Sequence, residues 1–169
     1  AAGNNNVGVT GVIQNVKILP VRVTGANGTV ANGALSSFIQ GLQYVTTLKR
    51  QGVNIVASNA SLGFTQYFGS FPFNRILNDA VSRLGDAGVL LVVAAGNDGL
   101  NVDPGQDFPG KFSLNQPNVI TVAATDNQDN IAFFSNIGAS VVNIAAPGVN
   151  ILSTFPTSDV GTLLEDGTI

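Results

Sequence analysis

Val89-Leu90-Leu91-Val92-Val93-Ala94-Ala95, closed by Gly96-Asn97-Asp98-Gly99, is the stretch on which the fold turns. The run is apolar without alternation, as expected of a strand covered on both faces. It is far short of the ~20 residues that cross a bilayer. Just before it, Gly88 stops a helix expected from about Phe73 to Ala87, with Ile76, Leu77, Ala80, Val81 and Leu84 on one face. Upstream of that helix, Val53 to Ala57 reads as a short strand, followed by Ser58-Asn59-Ala60-Ser61-Leu62-Gly63. Another helix precedes it. Leu35, Phe38, Ile39, Leu42, Val45 and Leu48 recur at helical spacing, and Lys49-Arg50 stand favourably at its C-terminus before Gly52. Earlier still, Val16 to Val23 is rich in β-branched residues and reads as a strand, with Gly25-Ala26-Asn27-Gly28 as its turn. Downstream, Asn118 to Ala124 reads as a strand, and Val141 to Ile144 and Ile151 to Thr154 as shorter ones. Strand–helix–strand–helix–strand order predicts an α/β fold with a mainly parallel sheet. Sites in such sheets form beyond the carboxyl ends of the strands, where Ser61-Leu62-Gly63 and Gly96-Asn97-Asp98-Gly99 both fall.

Composition narrows the chemistry. The 169 residues suit one domain, and only 10% are charged, against roughly 25% in an average soluble domain. Nineteen Asn and 20 Gly must therefore cover much of the surface. A net charge of −3, with seven scattered Lys and Arg, gives no footprint for nucleic acid or for a membrane surface. Cys is absent, which removes disulfides, thiolate metal sites and a cysteine nucleophile. His is absent too, so no Ser-His-Asp or Cys-His catalysis is complete inside these residues. A chain that opens on Ala1 rather than Met is expected to be a processed or excised piece.

Eight ordered phrases resemble the subtilisin-like serine peptidases. They are Ala1-Ala2-Gly3-Asn4-Asn5-Asn6-Val7-Gly8-Val9-Thr10-Gly11-Val12, Lys17-Ile18-Leu19-Pro20-Val21-Arg22-Val23, Ser61-Leu62-Gly63 and Ala94-Ala95-Gly96-Asn97-Asp98-Gly99, then Phe108-Pro109-Gly110, Val119-Ile120-Thr121-Val122-Ala123-Ala124, Phe134-Ser135-Asn136-Ile137-Gly138 and Ala145-Ala146-Pro147-Gly148-Val149-Asn150-Ile151-Leu152-Ser153-Thr154. The resemblance implies a three-layer fold, incomplete here. Residues 1–169 would be a single partial catalytic domain, with the aspartate and histidine motifs before Ala1. The serine motif would lie just past Ile169, or else Ile169 stands where the nucleophile should be. Without those flanking segments, one face of the sheet is expected to be partly bare. The implied activity is endoproteolysis of polypeptides through an acyl-enzyme by a secreted protein, with this chain inactive alone.

Residue by residue, the resemblance implies that the Asn97 amide donates to the oxyanion of the tetrahedral intermediate. The similar sedolisins place an aspartate in that role. Read structurally, Asn97 caps a helix or turns the chain between Gly96 and Gly99. Ser61, Leu62, Gly63, Ala94, Ala95 and Gly96 would wall the pocket for the residue before the scissile bond, and their main chain would pair with substrate. Small residues there also serve tight strand packing. Phe108, Pro109 and Gly110 would lie near the pocket floor, Phe64 would narrow its rim, and an edge around Thr29 to Asn32 would pair further upstream. The first phrase is similar to a calcium loop, with the Asn5 side chain and the carbonyls of Gly3, Val7 and Val9 as ligands; a solvated Asn-rich turn is its other reading. Asp126, Asp129, Asp159, Glu165 and Asp166 read as solvated turns, with no paired-carboxylate spacing. Two other functions compete: a peptide-binding pseudo-peptidase without catalysis, and a Rossmann-like nucleotide binder, the latter poorly served because no G-x-G-x-x-G opens a helix.

Overall fold

The computed structural model describes residues 4, 6, 8–24, 34–64, 71–105 and 108–153. They fall into two units, Ala1–Pro20 with Asn150–Ile169, and Val21–Val149. Described residues of the first unit form no helix or strand, and Asn6 and Gly8 both take positive φ, 61° and 67°. Every helix and strand that is described belongs to the second unit.

Helix α1 spans Ala34–Arg50 and α2 spans Phe71–Asp86. Both end on the glycines that the sequence offers as stops. Gly52 takes φ +94°; its N–H donates to Lys49 O (3.0 Å) while Val53 N–H reaches back to Leu48 O (3.1 Å). Gly88 takes φ +78° and repeats the pattern, with Gly88 N–H to Gly85 O (2.8 Å) and Val89 N–H to Leu84 O (3.2 Å). A left-handed residue after the last turn lets two orphan carbonyls be satisfied at once, and glycine adopts it without a Cβ penalty.

Four strands follow in chain order across one sheet: β1 Ala57–Ala60, β2 Leu90–Ala94, β3 Val119–Thr125 and β4 Ile144–Pro147. All three pairings are parallel, with Ala57 opposite Leu90, Leu91 opposite Val119 and Val122 opposite Ile144. The core lies on one face of this sheet. Leu35, Phe38 and Leu42 of α1 and Leu77, Val81 and Leu84 of α2 cluster with Leu91, Val93 and Val119. Helix α2 approaches β3 so closely that a Cβ on Gly85 would stand 2.6 Å from Asn118 Cγ. The opposite face, with Leu90, Val92, Ile120 and Val122, is half-buried, so β2 is covered on both faces but less fully on this one. Among the described residues no helix is long and apolar enough to cross a membrane.

Several expected elements move. Residues 16–23 form no strand. Val21 and Val23 instead pack against α1, where a Cβ on Gly41 would stand 3.0 Å from Val23 Cγ1, and no ladder partner is present among the described residues. The strand expected at Val53 to Ala57 forms at Ala57–Ala60, because β2 begins at Leu90 and its register reaches back only to Ala57. The strand expected at Val141 to Ile144 forms at Ile144–Pro147. Val141 is buried in the interior, and Asn143 brackets Thr121 before the ladder starts: its side-chain Oδ1 accepts Thr121 N–H (2.8 Å) and its N–H donates to Thr121 O (2.9 Å). Residues 151–153 form no strand, and Thr154 lies outside the described residues. Ile76 is exposed, so it leaves the apolar stripe that Leu77, Ala80, Val81 and Leu84 keep.

Candidate functional site

Strands β1 and β2 run side by side as far as Ala60 opposite Val93, then part. The chain after β1 is drawn away by Phe64, whose N–H donates to Phe108 O (2.8 Å) and whose O accepts Phe108 N–H (3.4 Å). The chain after β2 stays with β3, through Ala95 N–H to Val122 O (2.9 Å). A crevice opens between them at the carboxyl edge of the sheet, the general location of ligand sites in parallel sheets. It encloses a cavity of about 260 Å3. Ser61, Leu62 and Gly63 line it from β1, and Ala94, Ala95, Gly96 and Asn97 from β2. Phe108, Gly110 and Thr121 complete much of the remainder. Asn97 and the 61–63 segment thus meet on one edge of the sheet.

Pro109 does not line the cavity. It is fully buried, and the Phe108–Pro109 peptide is cis. Gly110 follows on a short 3-10 turn, Gly110–Leu114, where Thr121 Oγ1 donates to Gly110 O (2.9 Å). A Cβ on Gly110 would sit 3.3 Å from Thr121 Cγ2 and 3.8 Å from Ala94 O, so a glycine keeps this side of the cavity open. Phe108 packs against Phe112 in a tilted pair with centroids 4.8 Å apart, and Phe64 lies 5.9 Å from Phe38 of the core. The aromatic rings near the cavity are therefore fixed to the fold.

The main chain of Ser61, Leu62 and Gly63 makes no backbone hydrogen bond among the described residues. Asn97 is exposed, and among the described residues its side chain donates to nothing. Asp98 also lines the cavity and accepts a bond from Asn136 Nδ2 at 3.3 Å. The loop's shape depends on Gly96 at φ +106°, where a Cβ would stand 2.4 Å from Asn136 Nδ2.

Asn136 is the residue that sequence reading passed over. It sits in a quoted phrase with no role attached, and its four side-chain bonds are invisible to local patterning. Asp103, which lies in none of those phrases, is passed over as well; its Oδ1 accepts Ser140 N–H and Val141 N–H, both at 3.0 Å, while Lys111 Nζ donates to its carbonyl oxygen. Chiefly through the Ser140 N–H, these bonds hold the Asp103 carboxyl below its ordinary range. A folded-state pKa depressed in this way contributes stability above the unfolded value near 4, and that stability is lost as pH falls through the folded value. Asp103→Asn is therefore expected to lower the melting temperature at pH 7 and to narrow its gap from wild type near pH 2.5. An equal gap at both pH values would remove Asp103 from the acid limb.

Other expected positions divide plainly. Asp126 is the turn residue anticipated, its Oδ1 accepting Gln128 N–H (2.8 Å) and Asn130 N–H (2.9 Å). Asp159, Glu165, Asp166, the Gly25-Ala26-Asn27-Gly28 turn and the Thr29 to Asn32 edge lie outside the described residues. So do Gly3, Asn5 and Val7, leaving Val9 alone of the proposed calcium ligands. Four neutral oxygens fall short of the 6–8 that calcium takes, and no group of three acidic, His or Cys residues stands ready among the described residues. This donor set does not fit the ion by itself, and no step below is routed through it.

Comparison with known proteins follows the same geometry. Residues 1–168 match the subtilase family. Subtilisin Savinase of Lederbergia lenta is 37% identical over 163 residues, covering 96% of this chain and 52% of that protein. Alkaline elastase YaB of Bacillus sp. (strain YaB) is 40% identical over 157 residues, covering 92% and 35%. Among solved structures, a cold adapted subtilisin-like serine proteinase aligns with a TM-score of 0.56 at 28% identity, over 77% of this chain and 40% of that one. The chain thus spans about half or less of the length of these relatives. With a match over nearly its whole length and a parallel sheet of the corresponding kind, this chain belongs to the subtilase family of serine peptidases.

Proposed function

We propose that this chain is the substrate-binding and oxyanion-stabilising part of a secreted serine endopeptidase that cleaves polypeptides through an acyl-enzyme. The observation that carries the reading is the crevice between the ends of β1 and β2, with open main-chain groups on one wall and the exposed Asn97 amide on its lining. An extended peptide laid along Ser61, Leu62 and Gly63 gains main-chain hydrogen bonds by strand addition, and one side chain enters the cavity. The wall at 94–96 carries only Ala and Gly, so a substrate side chain fits beside it.

Attack of a serine hydroxyl on the peptide carbonyl forms a C–O bond and moves a full negative charge onto the carbonyl oxygen. Asn97 donates an N–H to that oxygen while staying neutral, so it does not compete for protons. Collapse breaks the C–N bond, and the departing amine takes the proton that the base removed from the serine. Water then repeats the sequence on the ester. The base is a residue outside this chain, which contains no histidine.

A serine-directed phosphonylating probe and an unstructured protein substrate test this reading. The 169-residue chain alone is expected to show neither labelling nor turnover, and the complete protease both. Turnover by the chain alone, abolished by the probe, would make one of its own serines the nucleophile and overturn the reading. A complete protein that binds peptides in the crevice but neither labels nor cleaves would establish the pseudo-peptidase instead.

A further inference from the structure

We infer that Asn136 is a positioning residue of the reaction, a buried carboxamide that fixes the loop from which Asn97 reaches the oxyanion. The inference rests on the reading of Asn97 as oxyanion donor. Asn97 itself is exposed, and neither its main chain nor its side chain is tied to another described residue. Its direction is therefore set by its neighbours. Asn136 holds those neighbours on both sides. Its Oδ1 accepts Asp98 N–H and Leu100 N–H, each at 3.0 Å, and its Nδ2 donates to Ala95 O at 3.0 Å and to Asp98 Oδ2 at 3.3 Å. Two donors and two acceptor positions are thereby all used, the full capacity of a carboxamide. The side chain is 1% exposed, so these bonds form where water does not compete.

The rest of the arrangement points the same way. Segment 134–137 is zipped to the loop by Gly99 N–H to Phe134 O (2.8 Å), Asn136 N–H to Gly96 O (2.9 Å) and Ile137 N–H to Leu100 O (2.9 Å). Ser135 Oγ accepts Ala124 N–H (2.8 Å) and so ties this segment to β3. Gly96 leaves the space that Nδ2 occupies, since a Cβ there would stand 2.4 Å away. An aspartate at 136 keeps the acceptors and loses both donors, while an aliphatic residue loses all four bonds. Asn97 thus projects from a loop anchored at Ala95, Asp98 and Leu100 by one side chain. Such anchoring matters most when the oxyanion exists, because a donor displaced by about 1 Å forfeits much of its effect.

The test is a double-mutant cycle in the complete protease, reading kcat and KM separately. Asn136→Ala is expected to lower kcat about 10- to 100-fold, with a smaller rise in KM because the same side chain holds Ala95 of the pocket wall. Combined with Asn97→Ala, it is expected to add almost nothing to the loss in kcat, because a residue that reaches the oxyanion through Asn97 has nothing left to position there. Amide hydrogen exchange at Asp98 and Leu100 should quicken in Asn136→Ala. If that variant does not fold, the smaller uncharged change Asn136→Ser is put through the same cycle, with the same expected non-additivity. Losses that multiply, a rise in KM with kcat preserved, or unchanged kcat in the folded variant would each overturn the inference while leaving Asn97 its role. An Asn97→Ala protein of undiminished kcat would instead remove the oxyanion reading and this inference with it.

Discussion

Asn97→Ala is expected to lower kcat of the complete protease by about 10²–10³-fold, equal to about 2.7–4 kcal/mol, with KM little changed. That range comes from removing the oxyanion donor of a subtilisin, so it is carried over from the family and not obtained from this geometry. Its division between kcat and KM follows from the physics here. The ground-state carbonyl carries a partial charge, and the oxyanion a full one. A fixed amide therefore gains most of its interaction only at the transition state, which is where kcat is decided. A residue that only turns the chain between Gly96 and Gly99 would behave differently. Its replacement would cost stability on the scale of a lost cap, about 0.5–2 kcal/mol, and leave kcat per folded molecule intact. Active-site titration beside the kinetics separates the two, and an unchanged kcat per titrated site would refute the oxyanion role.

How far the sequence spoke for the fold depended on whether local chemistry or register decided an element. Both helices were legible because apolar spacing and a terminal glycine are local signals, and Gly52 and Gly88 close them as expected. β2 and β3 were legible because their apolar runs coincide with their pairing. β1 was not, because the strand that pairs is Ala57-Ser58-Asn59-Ala60, while the more β-branched run Val53 to Val56 only leads into it. Register with β2 overrode propensity there. Val16 to Val23 failed for a related reason. Its composition suits a strand, but a strand needs a ladder, and Val21 and Val23 bury themselves against α1 instead.

The candidate site followed the same division. Ser61-Leu62-Gly63 and Ala94-Ala95-Gly96-Asn97 could be brought together from sequence because both end parallel strands. What opens the crevice could not be foreseen: Phe64 crosses to Phe108, a pairing 44 residues along the chain that no periodicity encodes. Asn136 and Asp103 escaped likewise. Their partners lie about 36–41 residues away, and a polar residue in a loop phrase looks solvated until the fold shows that it is buried or clamped.

Leu84→Ala is expected to destabilise the chain by about 2.7–5 kcal/mol, the range for emptying a fully buried leucine site. Leu84 is 0% exposed and belongs to the cluster that joins α1, α2 and the sheet. Removing its side chain leaves a cavity between elements already held at close range, with α2 near β3 at Gly85 and its end tied to β2 through Val89 N–H on Leu84 O. Little room for collapse places the cost toward the upper part of the range. A typical domain holds only 5–15 kcal/mol of stability, so the loss is a large share of the total. Ile76→Ala on the same helix is the control: its side chain is exposed, and its change should stay within about 0.5 kcal/mol. Denaturant titration reads both, as a lower midpoint for Leu84→Ala at unchanged slope. Equal midpoints for the two variants would mean that α2 does not pack on the sheet through this face. The consequence would reach the site, since α2 delivers the chain through Gly88 into β2, and β2 carries Asn97 at its end.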